Sequence, residues 1–298
     1  MQSLWMLVAC AMFALMGACV KIATDYDANL PQIVLFRGVP SVILLFLWAV
    51  YHKRRLRPKS WKAHMLRNGF GVTAMWLGFT ALSMLPLPTA ISLNYTAPLF
   101  IGGWMLFFGG AQRDPIRIMA VLLGFLGVLA ILRPSLQQDD LIYALLGLLS
   151  GAFGAVAMMQ IRQLGRLGES EWRTVLIFSS VVCLTGLAAL SVLGWPHLSW
   201  QAYAALAGVG LSGLFGQLAV TRAFGLGSTL LTAVLQYATI IFAAIIGITF
   251  WGNIPDAIAL LGMALIIVSG LISAWRTYSE DRIMRGKTST PTTTTTTT

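Results

Sequence analysis

Apolar runs long enough to cross a bilayer fill nearly the whole chain. Ten can be marked, at approximately 3–23, 31–51, 67–85, 89–110, 116–133, 141–161, 172–193, 199–222, 229–251 and 256–275. About 20 consecutive apolar residues span the hydrocarbon core as a helix, so each run predicts one transmembrane helix. The punctuation between them is short. It falls at Pro86 and Pro88, at Arg113-Asp114-Pro115, at Arg133-Pro134, at Gly194-Trp195-Pro196 and at Asn253-Ile254-Pro255, residue types that end helices and shape turns. The short alternating segments of a transmembrane barrel are not seen. The pattern predicts an all-α integral membrane protein.

Composition sharpens this. The 298-residue chain is 57% hydrophobic and 10% charged, against about a quarter charged for a soluble domain. The net charge of +10 raises the question of nucleic acid, but the placement of the charges answers it. With a cytoplasmic amino terminus, 17 of the 20 Lys and Arg fall after spans two, four, six and eight and in the tail. The densest group runs from Lys53 to Arg67, and only Lys21, Arg37 and Arg133 are left over. The opposite connections carry Asp25, Asp27, Asp139, Asp140 and Asp256. Cytoplasmic loops are enriched in Lys and Arg, so both termini are predicted to be cytoplasmic and nucleic acid is not expected as a partner. Cys10, Cys19 and Cys183 lie within spans and define no disulfide framework or metal-ligand set. His52, His64 and His197 lie in or near loops and form no cluster. The first apolar run is long and has no basic region before it, so no cleavable signal is expected.

The two halves of the chain resemble each other. Phe13-Ala14 matches Phe153-Gly154, and Val34-Leu35 matches Val175-Leu176. Thr80-x-Ala and Asn94-Tyr95 match Thr221-x-Ala and Gln236-Tyr237. Five spans per half is an odd number, so the second half must enter the membrane inverted. Inverted repeats are an architecture of secondary transporters, with the substrate near the midplane between them. The predicted organisation is ten transmembrane helices as two inverted five-helix repeats, 3–133 and 141–275. Residues 277–298, ending in a threonine tract, are expected to be a disordered cytoplasmic tail.

The run from Leu4-Trp5 through Phe13-Ala14 to Val20-Lys21, then Phe36-Arg37-Gly38, then Asn94-Tyr95-Thr96-Ala97-Pro98-Leu99, resembles the EamA family of the drug/metabolite transporter superfamily. The resemblance covers roughly residues 3–276. It implies a bacterial inner-membrane carrier with both ends cytoplasmic. It leaves the substrate open, since members carry amino acids, nucleobases, riboflavin, sugars, drugs or metallophores.

The candidate chemistry centres on Arg37, inside the second span. A charge at such a position costs roughly 3 kcal/mol on insertion scales and usually faces a polar cavity or a partner. The alternative is a structural Arg tied to carbonyls or snorkelling to the near surface. Its second-half counterpart is Phe178, so fold symmetry alone does not require it. Trp76, Asn94, Tyr95, Gln160, Gln236 and Tyr237 complete the candidate substrate-binding set, with Gln217 also deep in a span. Buried amides need partners, so these residues either line a wet pathway or join helices. Trp76 and Tyr95 offer flat surfaces for a ring. Pro98 is a candidate kink in span four, and Lys21 is either a pathway cation or an interfacial anchor. No Asp or Glu falls inside a span, which argues against a buried-carboxylate proton relay. Gly208-x-Gly210-x-x-Gly213 lies in an apolar span and reads as a packing face, not a dinucleotide loop.

The resulting expectation is a secondary transporter of a small polar metabolite. Export of an amino acid or amino-acid-derived compound, such as an opine-type metallophore, is favoured. The alternative is an importer of riboflavin or another ring-containing metabolite. A membrane enzyme or a non-transporting scaffold is the reading from a different class, and no nucleophile–base pair supports the former. No cofactor and no metal site are expected. The partners are a small-molecule substrate and the lipid bilayer, with the chain a monomer or a homodimer.

Overall fold

The computed structural model describes residues 2–97, 99–100, 115–131, 138–227, 232, 235–252 and 254–288. Among these residues there is no strand. Ten α-helices follow the 3-10 turn Gln2–Leu4. They are α1 (Trp5–Asp25), α2 (Leu30–Tyr51), α3 (Trp61–Met84), α4 (Leu87–Asn94), α5 (Pro115–Ile131), α6 (Gln138–Arg166), α7 (Glu171–Leu193), α8 (Trp200–Leu226), α9 (Ala238–Trp251) and α10 (Ala257–Thr288). The expected continuation of span four over 101–110, its kink at Pro98, the start of span nine at 229–231, and Arg133 lie outside the described residues.

Local sequence explains where helices begin. Asn29 and Gln32 form a reciprocal capping box at α2, with Pro31 in the first turn. Ser60 and Ser199 accept from the amides of Ala63 and Ala202 at the starts of α3 and α8. Within α2, Pro40 has no amide hydrogen to give the Phe36 carbonyl one turn back. Gly210 of α8 packs directly on that turn.

The outside of the bundle is apolar. Leu44 and Leu47, Leu122 and Phe125, Leu184 and Leu187, Phe215, Ile241 and Ile245 are all exposed. A soluble domain rarely shows so much contiguous apolar surface. A bilayer accepts it, because each helix satisfies its own backbone. Five helical stretches among the described residues are long and apolar enough to cross a membrane, namely Gln2–Asp25, Leu30–Tyr51, Asp140–Arg166, Glu171–Leu193 and Trp200–Leu226. This is an all-α, multi-pass membrane protein.

The helix contacts come in matched sets. α2 packs on α7, α4 on α9 and α5 on α10. α1 packs on α8 while α3 packs on α6, and α2–α8, α1–α9 contacts are mirrored by α3–α7, α4–α6. Exchanging the first five helices with the last five leaves this pattern unchanged. Two hydrogen bonds from a helix to a distant connection obey the same exchange. Gln32 Nε2 donates to the Pro196 carbonyl at 3.1 Å, and Arg173 Nε donates to the Arg55 carbonyl at 3.1 Å. At the register that sets Phe178 opposite Arg37, Arg173 stands where Gln32 does and Pro196 where Arg55 does.

Three expectations need correction. The helix α10 runs on to Thr288, so the part of the expected tail from 277 to 288 is helical, and 289–298 lie outside the described residues. No Pro or Gly interrupts 276–285, and Asp281 precedes Arg285 by one turn, a spacing that supports a helix. Arg67, read as a loop cation, belongs to α3 and is 3% exposed. Glu169, read as an ordinary loop carboxylate, has a fully buried side chain.

Candidate functional site

A cavity of about 190 Å³ opens inside the bundle. Its wall is mostly apolar, with Met16, Met75, Phe79, Leu82 and Met158 among the contributors. Its polar groups are few: Arg37, Arg67, Asn94, Tyr95, Ser150 and Gln217. A cavity that is largely apolar with a handful of placed polar groups is the usual form of a small-molecule site.

Arg37 is 2% exposed. Its Nη2 donates to Gln217 Oε1 at 3.1 Å, while Nη1 is buried without a partner. The side chain lies across α8 at Gly213, where a Cβ would stand 2.6 Å from Arg37 Cδ. The glycine therefore makes the room that the guanidinium occupies. Arg67 is arranged alike. Its guanidinium folds over Gly71 of its own helix, leaving no space for a Cβ there. Its Nε and Nη1 are buried and unpartnered. Both cations approach the Phe178 ring, with Cζ of Arg67 4.0 Å and Cζ of Arg37 6.0 Å from its centroid. Among the described residues, neither guanidinium forms an ion pair.

The structure brings three of the seven sequence-predicted site residues to the cavity: Arg37, Asn94 and Tyr95. Asn94 Nδ2 is 3.5 Å from the Gly78 carbonyl, and its Oδ1 is unpartnered. The other four do not line it. Trp76 turns to α7 and donates to Thr185 Oγ1 at 3.3 Å. Gln160 sits beside the lining residue Ile161, its Oε1 unpartnered. Gln236 is buried, and its carbonyl accepts from Thr239 at 2.9 Å. The Tyr237 ring is pressed against Gly270 of α10 and is 2% exposed. The cavity is drawn mainly from α1, α3, α4 and α6, so the counterpart of Asn94-Tyr95 in the other half is packed instead of open. Lys21 reaches the Leu85 carbonyl at 3.3 Å, away from the cavity.

Gln217, Ser150 and Arg67 are the polar lining residues that sequence reasoning left out of the site. Arg67 had a usable signal. At the register that pairs Arg37 with Phe178, its counterpart is Gly208, so it too is a cation in one half only. Its place beside the Lys53–Lys62 cluster hid it.

A second polar group closes the end of the bundle that carries this basic loop. The Glu169 carboxylate accepts the Lys59 amide at 2.7 Å, meets His64 Nε2 at 3.3 Å and pairs with Arg173. Burial alone would raise the Glu169 pKa. The Lys59 amide, His64 and Arg173 outweigh it and hold the carboxyl below its ordinary value. Burial pushes the His64 imidazole down, against the pull of Glu169. His64 thus joins Glu169 and Arg173, with neither of the other two histidines.

The comparisons fit this geometry. The EamA-like transporter family matches over residues 1–133. A pseudopaline exporter of Pseudomonas aeruginosa is 30% identical over 86% of this chain and 90% of its own length. An S-adenosylmethionine uptake transporter of Rickettsia prowazekii is 25% identical over 86% of this chain and 85% of its own. One crystal structure shares the fold with a TM-score of 0.67 at 15% identity, covering 95% of this chain and 98% of that one. With a relative this similar along nearly its whole length, and membrane helices around a central cavity, the chain belongs to the EamA-like transporter family.

Proposed function

We propose that this transporter exports a small organic anion, an amino-acid-derived compound of the opine type, across the bacterial inner membrane. The observation that carries this reading is Arg37, a buried cation in the cavity with an unpartnered Nη1 and no ion pair among the described residues. A charge removed from water calls for a counter-charge, and a bound carboxylate supplies one with a geometry that suits a guanidinium. A relative that exports pseudopaline supports export. The uptake reading drawn from the S-adenosylmethionine carriers is less favoured, because a sulfonium cation would enter a cavity that already holds two guanidiniums. The ring-compound reading loses support because Trp76 faces α7. In this reading the chain moves its substrate without catalysing a reaction.

The same reading takes 3–133 and 141–275 as inverted repeats, for which the exchange symmetry of the helix contacts is the support. It keeps both termini cytoplasmic, from the distribution of Lys and Arg. The test is flux of a carboxylate-bearing opine, N-(1-carboxyethyl)-leucine, from proteoliposomes holding purified protein. Wild type should move it, and a monodisperse Arg37→Gln variant should lose about ten- to a hundredfold in affinity, the value of one charge-assisted contact. Unchanged flux in Arg37→Gln would eliminate the role assigned to Arg37.

A further inference from the structure

The Arg37 reading accounts for one cation, but the cavity holds two. We propose that the substrate carries two anionic groups, one met by Arg37 and one by Arg67, the two cations that approach the Phe178 ring. This deepens the organic-anion reading and rests on it.

Three observations support the assignment. First, Arg67 is not an anchored structural arginine. A structural role would tie its donors to carbonyls or a carboxylate, yet Nε and Nη1 are buried without partners and no ion pair to it occurs among the described residues. Its contact is the face of Phe178 at 4.0 Å, which attracts a cation but satisfies none of its hydrogen-bond donors. Second, the site makes room for both cations. Gly71 and Gly213 each lack the Cβ that would displace the guanidinium lying over them. Third, the two charges are set against the same ring. Their carbons lie 4.0 and 6.0 Å from one centroid, so they are separated by no more than the two distances together. Two like charges held this close and dry repel each other, and a single carboxylate leaves one of them uncompensated. A compound with two carboxylates joined by a few atoms neutralises both. The apolar remainder of the wall, including Met75, Phe79 and Leu82, suits a short aliphatic body.

The closing experiment compares N-(1-carboxyethyl)-leucine, which has two carboxylates, with its mono-amide, which has one. Binding is measured by calorimetry on the purified, detergent-solubilised full chain. Wild type should prefer the dicarboxylate by about tenfold or more, and Arg67→Gln should bind the two compounds alike. Arg67→Lys should recover part of the preference, since it restores charge without the planar fork. Should Arg67→Gln fail to fold, Gly71→Ala provides the second route, because its new methyl displaces the Arg67 guanidinium and should erase the preference too. Equal binding of both compounds by wild type overturns the proposal, as does a preference that survives in Arg67→Gln or Gly71→Ala. In either case Arg37-dependent flux of carboxylates would leave the organic-anion reading standing. If wild type binds and moves neither compound, both readings fall together.

Discussion

Adding one methyl at Gly213 tests whether the position of Arg37, and not only its charge, matters. A Cβ there would lie 2.6 Å from Arg37 Cδ, 2.7 Å from Nε and 2.9 Å from Cζ. Carbon atoms in comfortable contact sit about 3.5–4.0 Å apart, so the side chain must retreat by about 1 Å. The bond from Nη2 to Gln217 is already 3.1 Å long. Such a retreat takes it beyond about 3.6 Å, where it is no longer a hydrogen bond. Losing a hydrogen bond of a charged group costs about 1.5–3 kcal/mol, or about ten- to a hundredfold in affinity for a ligand that needs this geometry. The fold should tolerate the change. The obstructed atoms belong to a flexible side chain, and Ala exceeds Gly in helix propensity by about 1 kcal/mol. Gly210→Ala is the contrasting variant. Its Cβ would meet the Phe36 carbonyl oxygen at 2.5 Å, backbone that cannot swing aside. Forcing α2 and α8 apart should cost about 1–3 kcal/mol of stability. Thermal unfolding of both variants in detergent, with dicarboxylate flux in proteoliposomes, separates the cases. Wild-type flux in Gly213→Ala, or equal destabilisation of the two, would refute the reasoning.

Three further outcomes are expected. In a cysteine-free background, Tyr95→Cys should react with a membrane-permeant thiol reagent and be protected by substrate, whereas Tyr237→Cys, packed on Gly270, should stay unreactive. Stability measured by thermal unfolding should fall with acidification. His64, depressed by burial from its ordinary 6.5, opposes the protonation that the unfolded chain accepts first, and its penalty grows as pH drops below about 6.5. Glu169, held below its ordinary 4.5, adds a loss as pH falls from there through its own lower value, and His64→Gln should flatten the upper part of the decline. In intact cells, an impermeant thiol reagent should label Pro86→Cys from outside and leave Arg57→Cys untouched, and the reverse result would invert the topology; both positions are exposed.

Much of the scaffold could be read from the sequence because membrane spans are written in composition. Ten apolar runs predicted ten helices, and the caps at Asn29, Ser60 and Ser199 mark starts with side chains that accept their own helix amides. The site was legible only in part. Arg37 stood out because a charge inside an apolar run is rare. Arg67 did not, because α3 begins at Trp61, and its polar first turns merge with the basic loop before it. Trp76 was placed in the site on residue type, and Tyr237 on its match to Tyr95 in the repeat. Which way a helix turns its face depends on neighbours distant in sequence, here Thr185 and Gly270.

The position of Phe178 follows from the proposed symmetry and explains why the cations are arranged as they are. If α2 and α7 are equivalent helices, positions close to their crossing lie near their own counterparts, as Gly38 does against Ser179. An arginine kept at both 37 and 178 would add a third cation to the dry space that Arg37 and Arg67 already share. The chain instead keeps the cation in α2 and places an aromatic ring opposite. That ring is close enough to engage Arg67 from α3 at 4.0 Å as well as facing Arg37 at 6.0 Å. Cation–ring attraction is worth about 2 kcal/mol when desolvated, enough to ease two buried charges but not to replace their missing hydrogen bonds. The pair of cations is thus tolerable and still electrostatically incomplete. Such a site holds a dicarboxylate well and a monocarboxylate poorly, because only the dicarboxylate offers a counter-charge to both cations.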